Sequence, residues 1–81
     1  MVTDESVQKI LRQIGERLRE LRKKKGYTSA ESFAYDYELP RVHYWRIESG
    51  KVNLTIQTLH RILLIHHMTV EEFFATHTPT F

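Results

Sequence analysis

An all-α domain of five helices, the first of them extended, is what this sequence predicts, and three observations carry that expectation. Apolar residues recur at steps of three and four along the chain, while no segment alternates apolar and polar residues with the period of two that a half-buried strand requires. Serine, threonine, asparagine and aspartate stand just before the periodic segments, and glycine stands just after two of them, which are the ordinary start and stop signals of helices. The joints are short, with no repeat, low-complexity tract or linker. At 81 residues the chain is long enough for one domain, assigned to residues 1–76 with 77–81 as a tail.

The first helix is read from Val7, Leu11, Ile14, Leu18 and Leu21, whose spacing of four, three, four and three is one stripe on one face, with Ile10 widening it. Thr3 or Asp4 caps its start and Gly26 ends it, so it is expected over about Asp4 to Lys25, its basic end lying at the negative end of the helix dipole. Thr28 and Ser29 are the next capping signals, Thr28-x-x-Glu31 having the form of a capping box, and they open a short second helix, about 29–37, that buries Phe33, Ala34 and Tyr37. Glu38-Leu39 breaks it. Pro40 suits the first position of a third helix over about 40–49, ended by Gly50. Tyr44 and Ile47 are three apart and turn to the core with Leu39. Asn53 or Thr55 caps a fourth helix whose apolar face is Ile56, Leu59, Ile62, Leu63 and His66. Thr69-x-x-Glu72 is a second capping box and opens a fifth, with Val70, Phe73 and Phe74. The segment ATHTPTF shows no helical pattern.

Composition narrows the function classes. There is no cysteine, which excludes disulfides, thiolate zinc sites and a cysteine nucleophile. The longest aliphatic run, Ile62–Ile65, is far too short to cross a bilayer, and the N-terminus MVTDESVQKI lacks the apolar stretch of a signal peptide, so a cytoplasmic chain with no membrane partner is expected. Net charge is only +2, but ten Lys/Arg against six Asp/Glu fall between Arg12 and Lys51, and two acids with no Lys or Arg follow Arg61. A phosphate backbone would favour the basic part. The histidines, His43, His60, His66, His67 and His77, include no pair three or four apart. No helical metal-ligand pair exists, and no catalytic motif frames a serine or histidine. Neither an enzyme nor a cofactor or metal is expected.

The second and third helices are joined by about two residues, and the third carries Arg41, Val42, His43, Trp45 and Arg46 off its core face. Arginine can pair with guanine through two hydrogen bonds, and an apolar group can touch a thymine methyl. A helical hairpin with a charged surface fits the same residues. Trp45 is expected to pack with partial exposure. Tyr27, Tyr35 and Tyr37 form either a local aromatic cluster or contacts to phosphate.

The stretch Ile14-Gly15-Glu16-Arg17-Leu18-Arg19-Glu20-Leu21-Arg22 resembles the first helix of the Xre-like helix-turn-helix family, the lambda repressor and Cro type. Phe33-Ala34, Leu39-Pro40-Arg41, Tyr44-Trp45-Arg46-Ile47-Glu48-Ser49-Gly50 and Leu54-Thr55-Ile56-Gln57-Thr58-Leu59 continue the resemblance in order over about Ile14 to Phe74. It implies a lambda-repressor-like domain that binds double-stranded DNA as a transcriptional regulator. Arg41, Val42, His43 and Arg46 would then face bases. Ser29, Lys51 and Asn53 would meet phosphates, and Arg22 with Glu48 would form a buried pair tying the first helix to the recognition helix. The sequence departs from the family pattern in four ways. One residue is added before Phe33-Ala34. Ala30 stands closest to where a glutamine is common, which would leave the phosphate contact there to backbone amides. Glu38 stands where glycine is common, so a turn of different shape is expected. The first helix starts about two turns early.

Val7, Ile10 and Leu11 at one end and Phe73, Phe74 and Phe81 at the other exceed what one small core needs, although one of the phenylalanines can be core. They are candidate dimer surface, unless they cover one another within one chain. A homodimer on a short inverted repeat is the expected assembly. An antitoxin with a protein partner, or an interaction module that kept the fold without DNA binding, are the alternatives.

Overall fold

The computed structural model describes residues 5–77. Within them the chain is all-helical: α1 Glu5–Lys24, α2 Ala30–Asp36, α3 Arg41–Glu48, α4 Ile56–Ile65 and α5 Val70–His77. α3 packs on both α1 and α2, and α4 packs on α5. The core is drawn from all five elements and the second turn: Ile14 and Leu18, Ala30, Phe33 and Ala34, Leu39, Tyr44 and Ile47, Leu59, Ile62 and Leu63, and Phe73. Burying a large apolar side chain of this kind stabilises by about 1.5–3 kcal/mol. Phe33 is the hub, because the rings of Tyr27, Tyr37, Tyr44 and His66 all lie 4.9–5.4 Å from it or, for Tyr37, also against Tyr27 at 6.0 Å. The tyrosines in and around α2 therefore divide: Tyr27 before it and Tyr37 at its C-cap join the cluster, and Tyr35 within it is exposed.

Several element boundaries differ from expectation by a residue or a turn. α2 is capped by Ser29, not Thr28. Ser29 is extended (φ −131°, ψ 148°) and its Oγ accepts from the Ser32 amide at 3.1 Å, so no Thr28–Glu31 box forms. Pro40 is likewise extended (ψ 118°) and precedes α3 as its N-cap instead of being its first helical residue. Thr55, not Asn53, caps α4 by accepting from the Thr58 amide. The Thr69–Glu72 box forms reciprocally, at 2.9 and 3.0 Å. α5 runs on through Ala75, Thr76 and His77, residues that the sequence reading places in a structureless segment. The cap residues Thr3 and Asp4, and Phe81, lie outside the described residues.

Four helices end in the same way. After α1, α2, α3 and α4 the amides of Tyr27, Leu39, Lys51 and Met68 reach back to the carbonyls of Arg22, Ala34, Arg46 and Leu63 at 2.8–3.2 Å, the Schellman closure. That closure needs one left-handed residue. Gly26 and Gly50 supply it after α1 and α3, but Glu38 and His67, each at φ 59°, supply it after α2 and α4. The expectation of a different turn at Glu38 is thus corrected: the glycine-type turn is kept and a side chain tolerates it. A non-glycine residue carries roughly 1–2 kcal/mol of strain in this conformation, and glycine adds about 0.4–1 kcal/mol of unfolded-chain entropy to be lost on folding. Glu38→Gly is therefore expected to stabilise by about 0.5–1 kcal/mol, whereas Glu38→Ala, which keeps Cβ, does not. Thermal unfolding followed by circular dichroism checks this; a Glu38→Gly midpoint at or below the Glu38→Ala midpoint would contradict it.

His66, the C-cap of α4, lies face to face with Phe33 (interplanar angle 4°), as expected for a residue ending that helix on its core side. Burial, with Lys25 and His67 adding positive charge, lowers its pKa below the ordinary histidine value. Ile56 departs from expectation. It is 65% exposed, because it begins α4 where the chain is still leaving the loop.

Candidate nucleic-acid interface

The exposed side of α3 carries Arg41, Val42, His43, Trp45 and Arg46, all open to solvent, while Tyr44, Ile47 and Glu48 point inward. An eight-residue helix with three inward positions leaves the remainder on one outward face. Val42 is 69% exposed although apolar, with no intramolecular reason to be there.

What holds α3 in place is a buried ion pair. Arg22 of α1 donates from Nε to Glu48 Oε2 at 2.8 Å and from Nη2 to Oε1 at 2.9 Å, a two-pronged pairing. Its Nη1 donates to the Tyr27 carbonyl at 3.1 Å, which also ties down the turn after α1. Both side chains are buried. The hydrogen bonds to Glu48 keep the guanidinium firmly charged, its pKa above the usual value. Tyr44 lies beside the pair, and burial together with Glu48 pushes its phenol above its ordinary range.

A second device is closer still. Gly15 of α1 sits against the C-terminal turn of α3, where a Cβ would collide with the Glu48 carbonyl oxygen and lie 2.7 Å from that of Ile47. Gly50 faces the same helix, with an added Cβ 2.8 Å from Arg12 Cα. α1 thus touches backbone to backbone at the end of α3. No feature of the sequence read by itself marks Gly15 as the contact, since a lone glycine in a helical pattern also fits simple tolerance.

The loop after α3 alternates outward and inward residues. Lys51 and Asn53 are exposed, while Val52 and Leu54 pack on the core. Lys51 Nζ lies over the Trp45 ring, 5.1 Å from its centre, so a cation is held at the end of the exposed face. At the other end, Arg41 Nη1 donates to Glu31 Oε2 of α2 at 3.2 Å. An open groove of about 440 Å³ runs beside α3, lined among others by Arg19, Lys23, Ser29, Glu31 and Trp45. Ser29 itself is on this edge, its hydroxyl engaged with Ser32.

The residues expected at chain ends separate. Val7 and Ile10 are exposed and Leu11 is half-buried on the early turns of α1. Phe73 is fully buried beneath the Arg17 guanidinium, 5.3 Å from its ring centre, and is corrected from candidate surface to core. Phe74 is 39% exposed. Among the described residues no group of acidic and histidine side chains is placed to hold a metal, and no helix is long and apolar enough to cross a membrane.

These features define a small five-helix domain of the helix-turn-helix type. Over 61 residues, 75% of this chain and 82% of the relative, it is 39% identical to control protein C.MunI of a Mycoplasma species. Over 60 residues, 74% of this chain and 65% of the relative, it is 38% identical to the plasmid copy control protein CopR of Streptococcus agalactiae. The chain belongs to the family of the control protein C.MunI. No family model matches the chain, and no solved structure matches it.

Proposed function

We propose that this protein is an Xre-like, sequence-specific regulator that binds double-stranded DNA with α3 in the major groove. The observation that carries the reading is the outward face of α3. Arg41, Val42, His43 and Arg46 are solvent-exposed on a helix whose position is set by a buried ion pair and a backbone contact. A rigidly seated helix with exposed arginines suits base recognition, and relatives named for control and copy control agree with a regulator. In this reading Arg41 and Arg46 contact guanine edges, Val42 a thymine methyl and His43 an adjacent base. Ser29 and Lys51 border the same face and, with the exposed Asn53 of the loop after α3, meet phosphates. A two-fold dimer, formed through the exposed Val7, Ile10 and Phe74 with Leu11 beside them, places two recognition helices about 34 Å apart on a short inverted repeat.

Selection of preferred sequences from a random duplex pool, followed by titrations on selected and scrambled DNA over a salt series, tests the proposal. The selected sequences are expected to form an inverted repeat with half-sites about one helical turn apart. Arg46→Ala should weaken binding to the selected sequence by about 1–3 kcal/mol and relax preference at one base pair. Lys51→Ala should weaken binding to all sequences alike and make the salt dependence shallower by about one unit. A parent protein with no preference at any salt concentration would overturn the reading. Identical behaviour of the two variants would overturn the division of roles between them.

A further inference from the structure

We infer that Glu31 is a positioning residue for base recognition: it holds Arg41 in one orientation on the DNA-facing side, and thereby gives up general DNA affinity in exchange for discrimination. The inference rests on the function proposed above and deepens it.

The contact joins two elements across the turn. Glu31 is in the first turn of α2 and Arg41 is the first residue of α3, and Nη1 of Arg41 donates to Oε2 of Glu31 at 3.2 Å. The pair contributes little to the fold, because its side chains are 57% and 71% exposed and exposed ion pairs are worth little in water. Ser29 already supplies the side-chain cap of α2, and an acid in the first turn adds only the modest stabilisation that the positive end of a short helix dipole gives an exposed carboxylate. An acid on the edge of a face that would meet phosphates is a liability for binding, because the phosphate charges repel it. The dipole accounts for an acid in that turn but not for its contact with Arg41.

The chemistry of the arginine supplies a reason for that contact. A free arginine has many rotamers to lose when it docks on a base, and its planar fork reads guanine only when aligned. Glu31 engages Nη1, and the guanidinium has five N–H donors in all. The Nε–Nη2 edge therefore remains for the two-bond contact to guanine. Holding the head group in advance lowers the ordering cost of the specific complex, by about two- to tenfold in affinity for one long side chain. On scrambled DNA Arg41 finds no such partner. There the carboxylate only repels the backbone and keeps the arginine from swinging to a phosphate.

Two opposite effects of removing one charge follow. Glu31→Gln, which keeps the side-chain length, is expected to bind scrambled DNA about two- to tenfold more tightly. The same change should reduce the preference at the base pair read by Arg41 by about two- to tenfold. Glu31→Asp keeps the charge on a shorter arm and should keep the gain in scrambled binding small. In an Arg41→Ala background Glu31→Gln should leave the remaining base preferences unchanged. The measurements are base-preference profiles from a random duplex pool and titrations on scrambled duplex for the parent, the three variants and the double variant. Circular dichroism melting accompanies them, and little change is expected because the pair is exposed.

A Glu31→Gln profile identical to the parent's at every base pair overturns the inference while leaving the proposed function standing. So does a change in profile that persists undiminished in the Arg41→Ala background, which would mean that Glu31 acts on DNA by itself. A parent with no preference overturns both.

Discussion

Glu48→Ala is expected to lower stability by about 3–5 kcal/mol, since truncating one partner of a buried pair leaves the other charge uncompensated. For a domain of this size total stability is on the order of 4–12 kcal/mol, so the variant should melt about 15–30 °C lower, if it folds at all. The reason is specific to the geometry. With Glu48 gone, Arg22 keeps one hydrogen bond, to the Tyr27 carbonyl, and loses the two that face Glu48. The Tyr44 hydroxyl, buried without a hydrogen-bond partner, would share the vacated space. Replacing both partners by apolar residues, Arg22→Met with Glu48→Leu, should recover much of the loss, because no buried charge then remains. A Glu48→Ala protein melting within a degree or two of the parent would show that the pair is not a structural element. Equal stability of the single and double variants would show that desolvation is not the source of the cost.

Gly15→Ala is expected to destabilise by about 0.5–2 kcal/mol net, although alanine is the better helix former. Isolated in a helix interior, the substitution would stabilise by about 0.5–1 kcal/mol. Here the added Cβ meets the Glu48 and Ile47 carbonyls of α3, which are backbone atoms at the end of a helix and cannot swing aside as a side chain does. Overpacking of this kind costs typically about 1–3 kcal/mol and sometimes more, and α1 must move off α3. That movement also disturbs Arg22, about two turns along the same face of α1, so sequence-specific DNA binding should fall more than the melting temperature alone explains. Thermal melts and titrations on selected DNA check both parts, and a Gly15→Ala protein more stable than the parent would refute the close approach.

Much of the architecture was legible from residue order. The step pattern from Val7 to Leu21, the Thr69–Glu72 box and the glycines at 26 and 50 are local signals, and local signals report on local backbone. Where two adjacent residues can both cap, as at Thr28 and Ser29, sequence cannot choose. The choice depends on which backbone is already extended when α2 docks. The exposed Ile56 has the same origin, since periodicity places a residue on a face but does not say how far along the helix that face stays covered. The Arg22–Glu48 pairing was implied by resemblance, not by spacing, because nothing local links residues twenty-six positions apart.

By itself, the sequence determined the five helices, most of the core, and a second and third helix joined by a short turn with arginines on the outer side of the third, because helical period and capping are read within a few residues. Tertiary structure alone decided the rest. It put Gly15 against the end of α3, buried Phe73 beneath Arg17, placed Lys51 over Trp45 and joined Glu31 to Arg41. It also required Glu38 and His67 to take the left-handed turn that glycine usually supplies. Each of these depends on the distance between helices or on how a turn closes against the core. Those are set by the packing of all the side chains together, and no short stretch of residues encodes them.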